Sequence, residues 1–600
     1  MKGVTKKAII LLVTISAIGI GIGSLEYVNF RSSHSQQLTP PPPFSQIHIT
    51  GFQIYGNSQL ANASDGGNGT RENPYVIENA IFTGSENESN GTLTESTFLL
   101  ANTNAFVIIR NCSVSRSSVS PGAMYLFNVS NAVLVNNTFS SYGGTGIYVY
   151  QCSNITILDN LSNINTVGIF IDSSKNVMVT GNTLNYNDAY DVGLTGSTNI
   201  TVAENLASYS GYGILTWNSS SDVISGNLAT DNSLGGISIE NSNNETISDN
   251  TALYNGNYGI YTLNSSSDVI SGNLATDNSV YGFSIINCSD DIFAGNNVTG
   301  NGWFGINIGY SKVMNVVNNT IEGNHQGGIE CDFASNTNIT NNSLSSNAGF
   351  GIHVWYSGSV TLSGNEMAGC GIWIDAHDEL DMYPVDIGPN NTVNGRDVIY
   401  YKNVAGLTSD DFINAGQVIL LNCYGATIGG LNTSRGTVGI LLAYCCNVTI
   451  TSTESSFNTK YGIQLISSNF TSITSCNITY NNDTGICIVS SSVLRMNPYG
   501  NVIYSSIKNV IDDNNISFNT NYGVTLDINS SSNTFSGNIF NKNGKGSYQD
   551  LGTSNVFQNT VPGAGSGMIS GAPVALLATI AGAFSCVEVL VIVRRIRTPR

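Results

Sequence analysis

NSSSDVISGNLATDNS occupies residues 218–233 and returns unchanged at 264–279, 46 residues later. Half of that interval is the working period. A glycine followed by an apolar residue stands at Gly213, Gly236, Gly259, Gly282, Gly305, Gly328 and Gly351, each 23 residues after the last; Gly146, Gly168 and Gly193 lead in less evenly. Fourteen residues after most of these glycines comes an asparagine: Asn160, Asn182, Asn227, Asn250, Asn273, Asn296, Asn319, Asn342 and Asn365, with Asn205 in the same column. A second asparagine follows five residues on, as at Asn232, Asn255 and Asn278. Three residues before each asparagine of the first column the side chain is apolar, as at Ile224, Ile247 and Ile270. Self-similarity at a fixed period of this length signals a repeat architecture.

Short alternating runs such as Gly-Ile-x-Ile and Val-Ile-Ser, split by turn residues, describe strands of three to five residues. No run in the repeats carries a helical period. One such unit cannot bury its own apolar face, but units stacked on one another can. The expected fold is an all-β parallel β-helix, in which copies of one position align at ~4.8 Å. Asparagine at a fixed turn position tolerates the left-handed conformation and bonds to its copy in the next coil, so the column reads as a ladder. A globular α/β fold, the alternative, lacks helical periodicity.

A second block repeats at Gly416, Gly439, Gly462 and Gly485, with Thr453 and Cys476 in the ladder column before Asn514 and Asn538 resume it. The resulting organisation is irregular first coils at 47–136, regular coils at 137–370, an interruption at 371–415 and a second block at 416–558.

The ends carry targeting signals. Lys2, Lys6 and Lys7 precede an apolar run from Ala8 to Leu25, as in a signal peptide or signal anchor within 1–30. A Pro/Ser-rich linker spans 31–46. After a Gly-rich linker at 559–571, the apolar stretch 572–593 is long enough to span a bilayer, and Arg594, Arg595, Arg597 and Arg600 follow it. The positive-inside rule puts the 594–600 tail in the cytoplasm and the repeats outside the cell membrane. Asn-x-Ser/Thr sequons, such as those at Asn154, Asn218, Asn264 and Asn338, suit an extracytoplasmic glycoprotein.

Only 10% of the 600 residues are charged, and 21 basic against 40 acidic residues leave −19. Nucleic acid is excluded as a partner, because binding it needs clustered Lys and Arg. Eleven cysteines form no Cys-x-x-Cys pair, so thiolate zinc is not indicated. Cys423 and Cys446 each lie seven residues after a repeat glycine, which would stack them in adjacent coils as a candidate disulfide. A one-residue slip would match Cys423 with Cys445 instead, and stacked free thiols are the alternative to a bond.

The repeats resemble the right-handed parallel β-helix repeats of the NosD-like family, related to carbohydrate-binding proteins and sugar hydrolases. GNGTRENPYVIENAIF at 67–82 and the 390–423 stretch, NNTVNGRDVIYYKN through AGQVILLNC, are similar to segments of archaeal surface proteins of this kind. The resemblance implies right-handedness and a cell-surface setting. Its name refers to periplasmic copper handling.

In Gly-Ile-x-Ile the apolar residues point inward, sending the second and fourth positions after the glycine outward. Most coils place bland residues there, such as Ser238 and Ser284. Consecutive coils from 305 onward do not: Asn307, then Glu330 and Asp332, His353 and Trp355, Trp373 and Asp375, with His377 two residues on. Glu330, Asp332, Asp375 and His353 are the candidate catalytic groups, and a carboxylate pair suits glycoside hydrolysis. Trp355, Trp373, Asn307 and His377 are the candidate ligand-binding groups, since indole faces stack on sugar rings. His353, His377, Asp332 and Asp375 could instead hold calcium or copper, though no specific motif supports a cofactor. A decorated face with no ligand is the bland alternative. Lys312 and Arg396 are the basic residues nearby in sequence. The expectation is a membrane-anchored surface solenoid binding polysaccharide or another envelope component, with Trp355 and Trp373 exposed and stacked; hydrolysis, lyase chemistry and metal handling are the alternatives.

Overall fold

The structure, a computed structural model, describes residues 48–83, 96–115, 122–140, 143–375, 385–493, 502–562 and 569–570. The apolar terminal runs and His377 lie outside these residues. Among the described residues no helix is long and apolar enough to cross a membrane.

Three short strands make one coil, as in Gly235–Glu240, Thr246–Ser248 and Thr251–Leu253. Each pairs in parallel with its copy 23 residues later, giving Ile237↔Ile260, Ile247↔Ile270 and Ala252↔Ala275. Stacking builds three parallel sheets around one core in which Ile237, Ile247 and Ala252 are fully buried. The strand Gly122–Val135 belongs to two sheets, pairing with Thr145–Tyr150 and with Ser153–Leu158. One helix, Gly56–Ala63, interrupts the first coils and buries Leu60. It went unread because it lies before the periodic region.

The first asparagine column is a continuous hydrogen-bonded chain at the corner between the second and third sheets. The Asn250 backbone N–H and Nδ2 both donate to Asn273 Oδ1 at 3.0 Å, and Nδ2 also donates to the Ile224 carbonyl at 2.8 Å. Its own Oδ1 accepts from the Asn227 backbone and Nδ2. The same links run from Asn160 to Asn365 and on to Asn391. The left-handed residue is not the ladder asparagine, as the sequence suggested, but the one before it: Gly226, Asp249 and Gly272 have φ of 64°, 56° and 66°. That turn aims the asparagine into the core and leaves it an ordinary backbone.

Within 371–415, three strands complete another coil: Ile372–Asp375, Asp386–Ile387 and Thr392–Val393 pair in parallel with the coil before. The chain then reverses, with Thr392–Val393 antiparallel to Arg396–Lys402. Arg396–Lys402 leads in parallel register to Ala415–Leu421 and the second block. The Gly-led strands of that block therefore continue the third sheet, while the first sheet ends at Ile372–Asp375. At this end the Gln417 side chain stands in for a strand. Its Oε1 accepts from Ile372 N–H at 3.0 Å and its Nε2 donates to Ile372 O at 2.5 Å.

Of the two cysteine registers the sequence leaves open, the structure takes the one-residue slip. Val418 lies opposite Ile440, a step of 22, so Cys423 faces Cys445, and Cys446 pairs with Tyr424. Cys423, Cys445 and Cys446 are free thiols, not a Cys423–Cys446 disulfide. The Cys445 thiol, hydrogen-bonded to Cys423, pulls the Cys423 pKa down, while burial pushes that of Cys445 up.

Candidate functional site

The site sits on the outer face of the first sheet, on the strands Phe304–Gly309, Gly327–Asp332, Ile352–Trp355 and Ile372–Asp375. Alternation turns Ile306, Ile329, Ile352 and Ile372 into the core. It leaves two outward columns. Asn307, Glu330, His353 and Trp373 stack in one; Gly309, Asp332 and Trp355 stack in the other, and the Asp375 backbone pairs with Trp355.

Outward does not mean wet here. Glu330 and His353 are 6% and 7% exposed. His353 Nδ1 lies 3.0 and 2.9 Å from the two Glu330 carboxylate oxygens. The imidazole stacks on Trp373 with centroids 4.2 Å apart and planes 13° apart, and Phe350 lies 5.0 Å from it on another side. Trp355 and Trp373 are half-buried and occupy different columns rather than stacking on each other. Trp373 joins His353, whereas Trp355 packs against Tyr356 at 5.0 Å and Phe333 at 6.1 Å. Asn307 is half-buried below Glu330.

Four polar atoms on this patch are buried without a hydrogen-bond partner among the described residues: Asp332 Oδ1, His353 Nε2, Trp355 Nε1 and Trp373 Nε1. Burying such a group unpaired costs about 1–3 kcal/mol. Burial, with the Glu330 charge second, raises the Asp332 pKa to about 7, and His353 opposes the shift. A carboxyl group that titrates near neutrality can both accept and donate a proton.

Two parts of the site were not legible in the sequence. Lys460 holds its ammonium 4.6 Å from the Trp373 ring centroid. It arrives from the second block because Thr459 Oγ1 donates to the Gly349 carbonyl at 2.5 Å and Lys460 N donates to Thr437 O. Thr437 in turn bonds both backbone groups of Gly371. Sequence distance concealed this cation, which lies nearer the site chemistry than Lys312 or Arg396 promised.

The second is a ladder of rings on the turn beside the outward columns. Tyr310, Phe333 and Tyr356 stack with centroids 5.0 and 5.1 Å apart and planes 4° and 5° apart. All three have positive φ, 53°, 48° and 43°. At the same turn earlier coils carry Asn241, Asn264 and Asn287, whose side chains bond one another at 3.0 and 2.7 Å. Bulky residues are rare in this conformation and strained there. Three consecutive aromatic replacements of asparagine, 23 apart, were the available signal.

The right handed beta helix region family matches residues 192–336, 285–416 and 416–571. The chain belongs to this right-handed β-helix family. Residues 67–251 also match the family described as periplasmic copper-binding protein (NosD). That segment contains no histidine, and its cysteines, Cys112 and Cys152, are buried in different columns, their thiols donating to the Arg110 and Tyr150 carbonyls. Among the described residues no three His, Cys, Asp or Glu side chains converge as a metal site. The residues present do not fit a copper ion. No curated protein sequence matches the chain. Among solved structures, the bacteriophage Phi29 gene product 12 N-terminal fragment is 13% identical, covering 86% of this chain and 94% of its own, with a TM-score of 0.42. The periplasmic alginate epimerase AlgG is 14% identical over 55% and 85%, TM-score 0.27. The Azotobacter vinelandii mannuronan C-5 epimerase AlgE6 A-module is 14% identical over 78% and 92%, TM-score 0.19.

Proposed function

We propose that this chain is an extracytoplasmic, membrane-tethered β-helix that binds a carbohydrate of the cell envelope or its surroundings at the end coils of the first sheet. The carrying observation is the set of four buried, unpartnered polar atoms among flat rings. Indole N–H groups only donate, a neutral imidazole nitrogen or a carboxyl oxygen accepts, and the rings supply apolar faces. A hydroxyl both donates and accepts, and a sugar ring has apolar faces of its own, so a glycan satisfies the whole set. The apolar terminal runs and the basic tail support the tether and its orientation.

Calorimetric titration of the full chain against a glycan panel tests this. Replacing Trp355 and Trp373 together by Ala is expected to abolish binding and, because Trp373 packs against the core, to lower the melting temperature while the chain stays folded. Unchanged binding would sink the proposal.

A second reading, hydrolysis, is favoured by one observation. Asp332, with its pKa near 7, lies beside the buried Glu330–His353 pair. Asp332 would protonate the leaving oxygen while the pair takes a proton from water. Release of reducing ends by the chain, lost in Asp332→Asn, would establish it; binding without any release leaves the binding role alone.

A further inference from the structure

The outward columns do not begin at the candidate site. In one of them Phe170 stands nine coil steps before Trp373 in an unbroken in-register series. At ~4.8 Å per step this face is about 43 Å long.

Rings recur along its length. Phe170 lies 6.1 Å from Tyr190, Tyr258 lies 6.4 Å from Tyr212 and 4.6 Å from Tyr261, and Phe304 lies 5.5 Å from Phe350. They lie across the sheet because small residues leave room. A Cβ on Gly235 would meet the Tyr258 ring at 2.4 Å, and one on Gly327 would meet the Phe350 ring at 2.2 Å. A glycine in an interior strand weakens it and marks close approach by another group; at both places that group is a ring laid over the gap. Phe170, Tyr190, Tyr212, Tyr261 and Phe304 are half-buried, and Trp217 beside them is 50% exposed. The series runs without a break in register into the patch that holds the unpartnered polar atoms.

The charge on this face is acidic. Asp172, Glu240, Glu330 and Asp332 project from the two columns. Among the described residues, the one cation over a ring of this face is Lys460, at its far end. A polyanion would meet carboxylates in three of these coils, whereas an uncharged hydroxylated chain would find acceptors in them. Tyrosine hydroxyls add donors, as Tyr148 shows by donating to Asp172 at 3.1 Å.

We infer that the outer face of the first sheet, from Phe170 to Trp373, is a continuous track for one extended, uncharged, hydroxyl-rich polysaccharide, of which the end-coil site is the terminal part. This rests on the carbohydrate reading of that site and adds the length and charge of the ligand. Each coil step is on the scale of one sugar ring, so a chain lying along the rod meets a new surface at every step. Contacts made by one chain at many steps reinforce one another as linked binding events do.

The test pairs linear neutral glycans, a panel of β-glucan, mannan, xylan and galactan, with their trisaccharides, and adds alginate as a polyanion of similar length. The full chain and two double variants, Trp355→Ala/Trp373→Ala and Phe170→Ala/Tyr261→Ala, are titrated against each. The track predicts that one neutral polymer binds at least about tenfold more tightly, per chain, than its trisaccharide. The Phe170/Tyr261 variant should lose that gain and keep trisaccharide affinity, and alginate should not compete. Equal affinity for polymer and trisaccharide, a silent Phe170/Tyr261 variant, or tight alginate binding overturns the track while leaving the end site standing. No binding by any neutral glycan, or a trisaccharide that ignores the tryptophan variant, removes both.

Discussion

Coils 218–295 and coils 304–375 share one backbone, one ladder and one core, yet the earlier coils line an inward column with acids, besides sending Glu240 outward, and the later coils do not. In the earlier coils Asp222, Glu245, Asp268 and Asp291 point inward and are no more than 1% exposed. Each gives one oxygen to a backbone N–H of the preceding coil: Ile200, Asp222, Glu245 and Asp268 donate in turn at 2.8–2.9 Å. The other oxygen of each is buried without a partner. In the later coils Glu330 and Asp332 point outward, where Glu330 has His353 as partner. The pair teaches that the solenoid fixes only the ladder and the apolar columns. Everything else is free to vary coil by coil, as the inward acids give way to Met314, Thr337 and Val360.

The largest expected effect lies in what the two regions share. Asn250→Ala strips the Asn227 N–H and the Ile224 carbonyl of buried partners. At about 1–3 kcal/mol per orphaned group, plus the lost packing, the loss should be about 3–5 kcal/mol. Chemical denaturation reads it, and a change under 1 kcal/mol would mean that the ladder merely decorates the corner.

The next effect separates the regions by pH. Burial raises the carboxyl pKa values to about 7 for Asp222, 9 for Glu245, 8 for Asp268 and 7 for Asp291, with the Asp222 charge second at Glu245. Their unfolded values are near 4. The folded chain therefore holds protons that the unfolded chain releases, so stability is full below about pH 4 for these groups and is lost as pH rises through about 7–9. Melting temperature should fall between about pH 5 and pH 9, and Asp268→Asn, which keeps the acceptor and removes the proton, should flatten that fall. A stability that rises over this interval would show that the inward acids are ionised in the folded rod.

The smallest effect concerns the rings. Phe333→Asn restores the residue that the earlier coils use in the left-handed turn. It should leave stability unchanged or raise it by up to about 1 kcal/mol. Glycan affinity should fall, because the stack from Tyr310 to Tyr356 is broken. A loss of stability with binding intact would make the rings structural and return these coils to the company of the earlier ones.

Much of this was legible because a solenoid writes each spatial column as a sequence period. Gly213 to Gly351, the asparagine column and the alternation in Gly-Ile-x-Ile were enough to place Glu330, His353 and Trp373 in one stack. What escaped were contacts without a period. Lys460 reaches Trp373 only because the chain reverses at Thr392–Val393, and a reversal leaves no repeat. The step of 22 that puts Cys445 rather than Cys446 against Cys423 is one of two registers the sequence leaves open, and a glycine count alone does not choose between them. The burial of Glu330 and His353 also escaped, because alternation assigns a face and not what covers it.

Gln417 has a consequence for assembly. A parallel sheet that stops exposes a row of backbone donors and acceptors, and such an edge recruits strands from other chains. Here a side-chain amide takes both groups of Ile372, and Thr437 takes those of Gly371. The growing end of the first sheet is thereby quenched by two side chains instead of by another coil. Swapping Gln417 for Ala would leave both backbone groups of Ile372 without these partners while the Thr437 bonds to Gly371 remain.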